Sequence, residues 1–274
     1  MQSEDRRVLS ALREARPDVV RAAEAFRETL AGGGKCFLFG AGTSGRLAVL
    51  EAAELPPTFG TKPFRVRALV AGGRAAVFRA REGAEDREEE GRRQATGLRA
   101  ADLAIGVSAS SVTPFVRGAL EGARARGART VLVTASGPGG TGRIADVVVR
   151  LDVGPEVVAG STRLKAGTAT KLALNQITTA ALVSSGKVYG PWMVDLRAGS
   201  AKLRDRARRI VAAAAETTDA SAARLLADAG GEVKTAILMG RSGLAAPDAR
   251  RALRAGGGDL RRALERAQDS NIRR

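Results

Sequence analysis

The sequence predicts an α/β protein: an open, doubly wound, mostly parallel sheet of five strands, followed by a small helical module. Two observations carry that expectation. Between residues 35 and 185, short apolar runs bounded by turn residues alternate with stretches of helical length, the rhythm of a parallel sheet covered on both faces. From about Lys202 the strand-like runs stop, and only short helical stretches separated by glycines remain.

Taken in order, Glu4 to Leu30 carries apolar residues at helical spacing. Pro17 suits the start of a second helix, and Gly32-Gly33-Gly34 ends it. The first strand is KCFLFG, bounded by glycine, and a helix is expected over Ser44 to Glu54. FRVRALVAGG from Phe64 reads as the second strand and Arg74 to Arg99 as one helix. DLAIGVSAS from Asp102, TVLVTAS from Thr130 and ADVVVRLDV from Ala145 complete the five, with helices over Pro114 to Arg126 and Lys165 to Ser185. The helical tail reads as AKLRDRARRIVAAAAE, SAARLLADAG, KTAILMG, PDARRALRAGGG and DLRRALERA. This gives N-terminal helices over 1–30, a sheet domain over 31–200 and a helical module over 201–274.

Composition narrows the chemistry. A chain of 274 residues with 44% hydrophobic content can bury a substantial core. No apolar run approaches the roughly 20 residues that span a bilayer, and the N-terminus is charged and amphipathic, so a cytoplasmic protein is expected. Cys36 stands alone, which excludes an intrachain disulfide, and histidine is absent. Acid and base chemistry therefore falls to carboxylates, Lys, Tyr or Cys. The net charge of +16 raises nucleic acid as a partner. However, the basic residues are mostly arginine and are spread along the chain without interleaved aromatics, so no nucleic-acid partner is expected; an anionic small substrate fits the charge equally well.

The motif GAGTSG from Gly40 has the G-x-G-x-x-G form of a dinucleotide loop, after a strand and before a helix. The full fingerprint needs an acid at the end of the next strand, and that strand ends LVAGGR, where only Arg74 offers a partner for a 2′-phosphate. The loop carries hydroxyls instead. Thr43 and Ser44 sit at the helix start, where they either cap the helix or meet a phosphate with free backbone N–H groups. The pattern recurs at SASSVTP, Ser108 to Pro114, and at GSTRLKAGTATK from Gly160. Three hydroxyl-bearing turns on one edge of an open sheet suit a compact phosphomonoester better than an extended dinucleotide.

The stretch GAGTSGRLAVLEAAELPPTFG, then AGGRAA with REGAED, then GPEVVAGSTRLKAGTATKLALNQITTAAL with GKVYGPWMVDL, resembles the successive motifs of the N-acetylmuramic acid 6-phosphate etherases. The resemblance runs from Ala31 to Arg206 and resumes at KTAILMG and GGGDLRRAL. It implies the sugar isomerase (SIS) fold, a homodimer with its site near the subunit interface, a phosphosugar substrate, and no cofactor or metal. The implied reaction is an elimination. A base takes the C2 proton of the opened sugar, an acid helps D-lactate leave C3, and water adds back. The positions matching the catalytic pair are Glu54 as acid and Glu85 as base. A helix ending near Pro56-Pro57 would favour the protonated form of Glu54. Glu82 and Asp86 share the charge run of Glu85, and only the resemblance separates them. For the phosphosugar it implies Ser44, beside the Thr43 already singled out at the helix start, then Ser108 and Ser110, and Ser161 with Thr162, with Glu156 and Lys165 at the same edge. Glu156 also reads as a turn carboxylate bonding backbone, and Lys165 as a surface lysine at a helix start.

Two departures from the family pattern stand out. Ser111-Val112 replaces the usual Gly-Arg of the second loop, and the Asn-Pro-rich segment that usually precedes the first helices, expected near the dimer or the site, is not seen. The altered loop and the basic tail keep open a non-catalytic phosphosugar-binding regulator of the glucokinase-regulator type. A sugar-phosphate isomerase is a third reading, but it leaves the full string of etherase motifs without a reason.

Overall fold

The computed structural model describes residues 1–137, 139–196 and 201–272. They form two compact units, Met1–Glu54 with Lys62–Ala181, and Leu55–Thr61 with Leu182–Arg274.

The first unit runs α1 (Gln2–Glu14), α2 (Arg16–Ala31), β1 (Cys36–Gly40), α3 (Gly42–Phe59), β2 (Val66–Val70), α4 (Ala75–Phe78), α5 (Glu88–Gln94), β3 (Leu103–Val107), α6 (Pro114–Arg124), β4 (Arg129–Thr134), α7 (Gly139–Gly142), β5 (Val147–Arg150) and α8 (Lys165–Val183), the last turns of α3 and α8 belonging to the second unit. All five strands are parallel, in the order β2-β1-β3-β4-β5. Every residue of β1 and β3 is buried, as expected of parallel strands covered on both faces. Phe37, Phe39, Ala104 and Leu132 pack with Phe115, Val116 and Leu120 of α6, while α2 lies on β1, β3 and β5. The N-terminal helices thus belong to the sheet unit. Among the described residues, no helix is long and apolar enough to cross a membrane.

Two expected helices differ in extent. Arg74 to Arg99 is not one helix but α4 and α5 with an irregular segment between them. Gly83 takes a left-handed conformation (φ 72°) inside that segment, and Arg79 is extended, so the helix cannot continue. The helix restarts where Glu88, Glu89 and Glu90 meet the positive end of α5, with Arg92 and Arg93 in its last turn. The second difference is α3, which runs on through Pro56 and Pro57 to Phe59. Leu55 and Phe59, one turn apart, are both buried, and the helix stops only at Gly60 (φ 63°), whose N–H closes on the Pro56 carbonyl. Glu54 therefore sits inside a helix rather than at its end, more than a turn from the negative helix terminus that the Pro-Pro pair suggests in the sequence.

The second unit holds a short hairpin of β6 (Val188–Tyr189) and β7 (Trp192–Met193), then α9 (Ala201–Ala214), α10 (Asp219–Asp228), α11 (Val233–Ser242), α12 (Ala246–Ala255) and α13 (Leu260–Ile272). Val194, Ile210, Val211, Ile237, Leu238 and Leu260 form its core. Thr218 caps α10 by accepting from the Ser221 N–H. The unit begins at Leu182, ahead of the expected boundary; residues 197–200, where that boundary falls, lie outside the described residues.

Candidate active site

The strand order reverses direction at β1 and β3, so the loops leaving their carboxyl ends diverge and open a crevice. The two ends are level, with Gly40 paired to Val107. In the first loop, α3 starts almost directly after β1. A Cβ on Gly45 would stand 2.7 Å from Val70 Cγ1 and 2.8 Å from the Gly40 carbonyl oxygen, so only glycine lets the first turn settle on the strand ends. That turn presents Thr43, Ser44 and backbone N–H groups without intrahelical partners. The second loop is tied internally. Ser108 Oγ and Thr113 Oγ1 are 2.8 Å apart, the Ser111 N–H donates to the Ser108 carbonyl, and the Ser111 hydroxyl donates to the carbonyl of Gly137. Ser111 holds a left-handed conformation (φ 56°) that glycine adopts without strain, a physical mark of the Gly-to-Ser departure.

The third loop leads into α8, whose first N–H groups, of Lys165 and Ala166, both donate to Glu156 at 3.0 Å. A Cβ placed on Gly167 would be 3.7 Å from Thr43 Cγ2, so the first and third loops meet. Between α4 and α5, the Glu85 backbone carbonyl accepts from the Phe115 N–H at 2.9 Å, which holds the main chain of Glu85 beside the start of α6. These segments enclose a cleft of about 290 Å³ lined by Thr43, Ser44, Glu85, Ser110, Thr113 and Thr162, with Arg46 and Arg81.

Residues 18–124 match the family model of the glucokinase regulatory protein N-terminal SIS domain. An N-acetylmuramic acid 6-phosphate etherase from Gloeobacter violaceus is 48% identical over 265 residues, covering 96% of this chain and 87% of the relative. A relative of the same name from Mycolicibacterium smegmatis is 46% identical over 266 residues, covering 96% and 89%. The chain belongs to the N-acetylmuramic acid 6-phosphate etherase family. Among solved structures, a phosphoheptose isomerase from Neisseria gonorrhoeae superposes with a TM-score of 0.50 at 19% identity, covering 64% of this chain and 92% of that one, a likeness of fold.

Of the residues the etherase motifs single out, Thr43, Ser44, Glu85, Ser110 and Thr162 come together in the cleft. The others lie elsewhere. Ser108 is buried, its hydroxyl engaged by Thr113. Ser161 is not among the cleft's lining residues; its N–H donates to the Val158 carbonyl. Glu156 bonds the N-terminus of α8, as the backbone-bonding alternative expects, and borders a neighbouring hollow of about 290 Å³. Lys165 is fully buried and not a surface lysine; its Nζ stands 2.5 Å from Glu4 Oε2 on α1. Glu54 is exposed and does not line the cleft. Ten residues after Ser44 on the same helix, it is roughly 15 Å further along the axis.

Sequence reasoning missed three lining residues, Arg46, Arg81 and Thr113. Arg46 follows the glycine loop directly, and its guanidinium donates to the carbonyls of Val77 (2.8 Å) and Ala76 (3.0 Å), anchoring α4 at the rim. Arg81 is hidden within the charge run that also carries Glu85. Hydroxyls, helix-start N–H groups and the guanidinium groups of Arg46 and Arg81 line the cleft, chemistry suited to an oxyanion, and the exposed carboxylates of both Glu82 and Glu85 border it. The arrangement can hold a phosphate and take a proton from what the phosphate carries.

Proposed function

We propose that this chain cleaves the D-lactyl ether of N-acetylmuramic acid 6-phosphate, releasing N-acetylglucosamine 6-phosphate and D-lactate. The observation that carries the reading is the convergence of Glu85 with hydroxyls from three separate loops in one cleft at the carboxyl edge of the sheet. The 6-phosphate is held by Ser44, Ser110 and Thr162 with the first turn of α3. Glu85 removes the C2 proton, made acidic by the C1 aldehyde of the opened sugar, and the electron pair expels the lactate oxygen from C3. Glu54 supplies the proton that the leaving oxygen takes up. Water then adds across the C2–C3 double bond, its oxygen to C3 and a proton to C2. Ser108, Ser161, Glu156 and Lys165 shape the loops around this site.

The chain acts as a homodimer. C3 lies three carbon–carbon bonds from the C6 that bears the phosphate, far less than the roughly 15 Å that separates Ser44 from Glu54 along α3. One chain therefore supplies the phosphate loops and Glu85, and a second copy brings its Glu54 to the same sugar. A phosphorylated substrate is too polar to cross a bilayer unaided, so the protein acts in the compartment where the sugar is phosphorylated, which we take to be the cytoplasm.

The family model that matches residues 18–124 describes a regulator, so the two readings are separated by experiment. Purified protein incubated with N-acetylmuramic acid 6-phosphate is expected to release D-lactate. Binding of the sugar phosphate without release would establish the regulator instead.

A further inference from the structure

The hollow of about 290 Å³ beside the cleft adjoins it directly, because Ala109 and Thr162 line both spaces. Its walls differ in kind. Ala135, Val153, Ala159 and Ala166 give it small apolar faces, where the cleft has hydroxyls and guanidinium groups. Of the described residues that line it, Glu156 alone is charged. The frame is tied at several points. The Ala135 N–H donates to the Ala109 carbonyl at 3.1 Å, Val153 and Ala166 are each 2% exposed, and the Glu156 carboxylate is held by the N–H groups of Lys165 and Ala166. The hollow is thus built into the loops after β4 and β5 and the start of α8.

N-acetylmuramic acid 6-phosphate carries two groups that the phosphate loops leave unhoused, the acetamido group on C2 and the lactyl group on C3. Charge decides between them. The lactyl group ends in a carboxylate, which would face that of Glu156 with no cation among the lining residues to offset it. The acetamido group is neutral, and its methyl suits walls of alanine and valine. Its N–H can donate to Glu156, since each carboxylate oxygen accepts one backbone N–H and keeps a second lone pair. Direction agrees with this. Glu85 lines the cleft but not the hollow, so a C2 that turns its hydrogen to Glu85 turns its nitrogen to another side.

We infer that the hollow is an N-acyl subsite: it seats the acetamido methyl among Ala135, Val153, Ala159 and Ala166 and accepts the amide N–H at Glu156. The subsite rests on the reading of the cleft as a phosphosugar site.

Equilibrium binding tests it, with N-acetylglucosamine 6-phosphate and, as the probe without an acyl group, glucose 6-phosphate. A buried methyl and one amide hydrogen bond are together worth about ten- to fortyfold in affinity, and the wild type should prefer the acetamido sugar by that factor. Ala135→Leu fills the hollow without touching the cleft's own lining, so it should erase the preference while glucose 6-phosphate binds as it does to the wild type. Ala159→Leu, at an exposed loop position that the fold does not depend on for its core, should do the same. No preference in the wild type, a preference that survives both substitutions, or an equal loss for both sugars overturns the inference. A hollow that took the lactyl group would give the second of these results.

Lengthening the acyl chain needs no variant. N-butanoylglucosamine 6-phosphate should bind the wild type at least as tightly as the acetyl sugar, because a hollow of about 290 Å³ has room for two further carbons. Loss of binding on lengthening overturns the subsite equally. Failure of every sugar phosphate to bind the wild type would instead defeat the phosphosugar reading of the cleft, and the subsite with it.

Discussion

If each site takes Glu85 from one chain and Glu54 from another, two inactive variants should rescue each other. Glu54→Gln and Glu85→Gln each remove one proton-transfer group, at a cost of about 10²–10⁴ in rate. The distance on which the shared-site proposal rests comes from α3 itself. Ten residues at about 1.5 Å each put Glu54 roughly 15 Å beyond Ser44, while the cleft that holds Ser44 and Glu85 has a volume of only about 290 Å³. In a mixed dimer, the Glu85 of the first variant faces the Glu54 of the second, so one of its two sites is intact and the other lacks both groups. Random reassortment makes about half of the dimers mixed, so the mixture should recover about a quarter of wild-type D-lactate release per chain. Differently tagged variants, co-expressed and purified through both tags, should reach about half. Doubly tagged dimers no more active than either parent would refute the shared site and return both carboxylates to one chain.

Other consequences are equally concrete. In deuterated water, Glu85→Gln is expected to abolish C2 exchange, whereas Glu54→Gln keeps exchange and loses lactate release; equal loss of exchange in both would refute the division of roles. Gly45→Ala places a methyl group 2.7 Å from Val70 Cγ1 and 2.8 Å from the Gly40 carbonyl oxygen, an overpacking expected to cost about 1–3 kcal/mol in urea unfolding and to weaken sugar-phosphate binding. An unchanged unfolding midpoint would mean that the strand–helix junction yields easily. In the helical unit, a hydrogen bond from Thr235 holds Glu232 below the ordinary carboxylate range; burial opposes it, and the Arg250 guanidinium adds to the lowering. Its contribution to stability is therefore present above the unfolded value of about 4.5 and is lost as the pH falls through the depressed folded value. Glu232→Gln should flatten the acid limb of stability measured by urea titration between pH 7 and pH 3, and an identical limb in both proteins would contradict this.

Much of the sheet was legible because buried parallel strands leave continuous apolar runs. KCFLFG and DLAIGVSAS carry β1 and β3, which the structure buries throughout. The hydroxyl-bearing turns were legible for a related reason, since the parallel topology itself sends the loops after β1 and β3 to one edge. The end of α3 was not. Pro56-Pro57 reads as a stop, yet the burial of Leu55 and Phe59 carries the helix through. Tertiary packing outweighed local propensity there. The break between α4 and α5 had a local signal, Gly83, which the surrounding run of charges obscured.

Within the site, residue type predicted nearness to the cleft but not the use of each side chain. Lys165 looked like a phosphate ligand or a surface lysine, and its charge instead meets Glu4, 161 residues away in sequence. Glu156 behaves as a helix cap. Such long-range pairings leave no periodic trace in a sequence. Arg46, by contrast, stood next to the glycine loop and could have been found by asking what holds the short helix at the rim.

The most direct test of the account follows atoms through the reaction. Wild-type protein is supplied with N-acetylmuramic acid 6-phosphate in water enriched in deuterium and oxygen-18, and the sugar product is examined by mass spectrometry and NMR. Elimination followed by addition predicts N-acetylglucosamine 6-phosphate carrying deuterium at C2 and solvent oxygen at C3, with D-lactate that keeps its ether oxygen. A product that retains its original C2 proton, or lactate that carries the solvent oxygen, would contradict proton abstraction by Glu85 and with it the central claim.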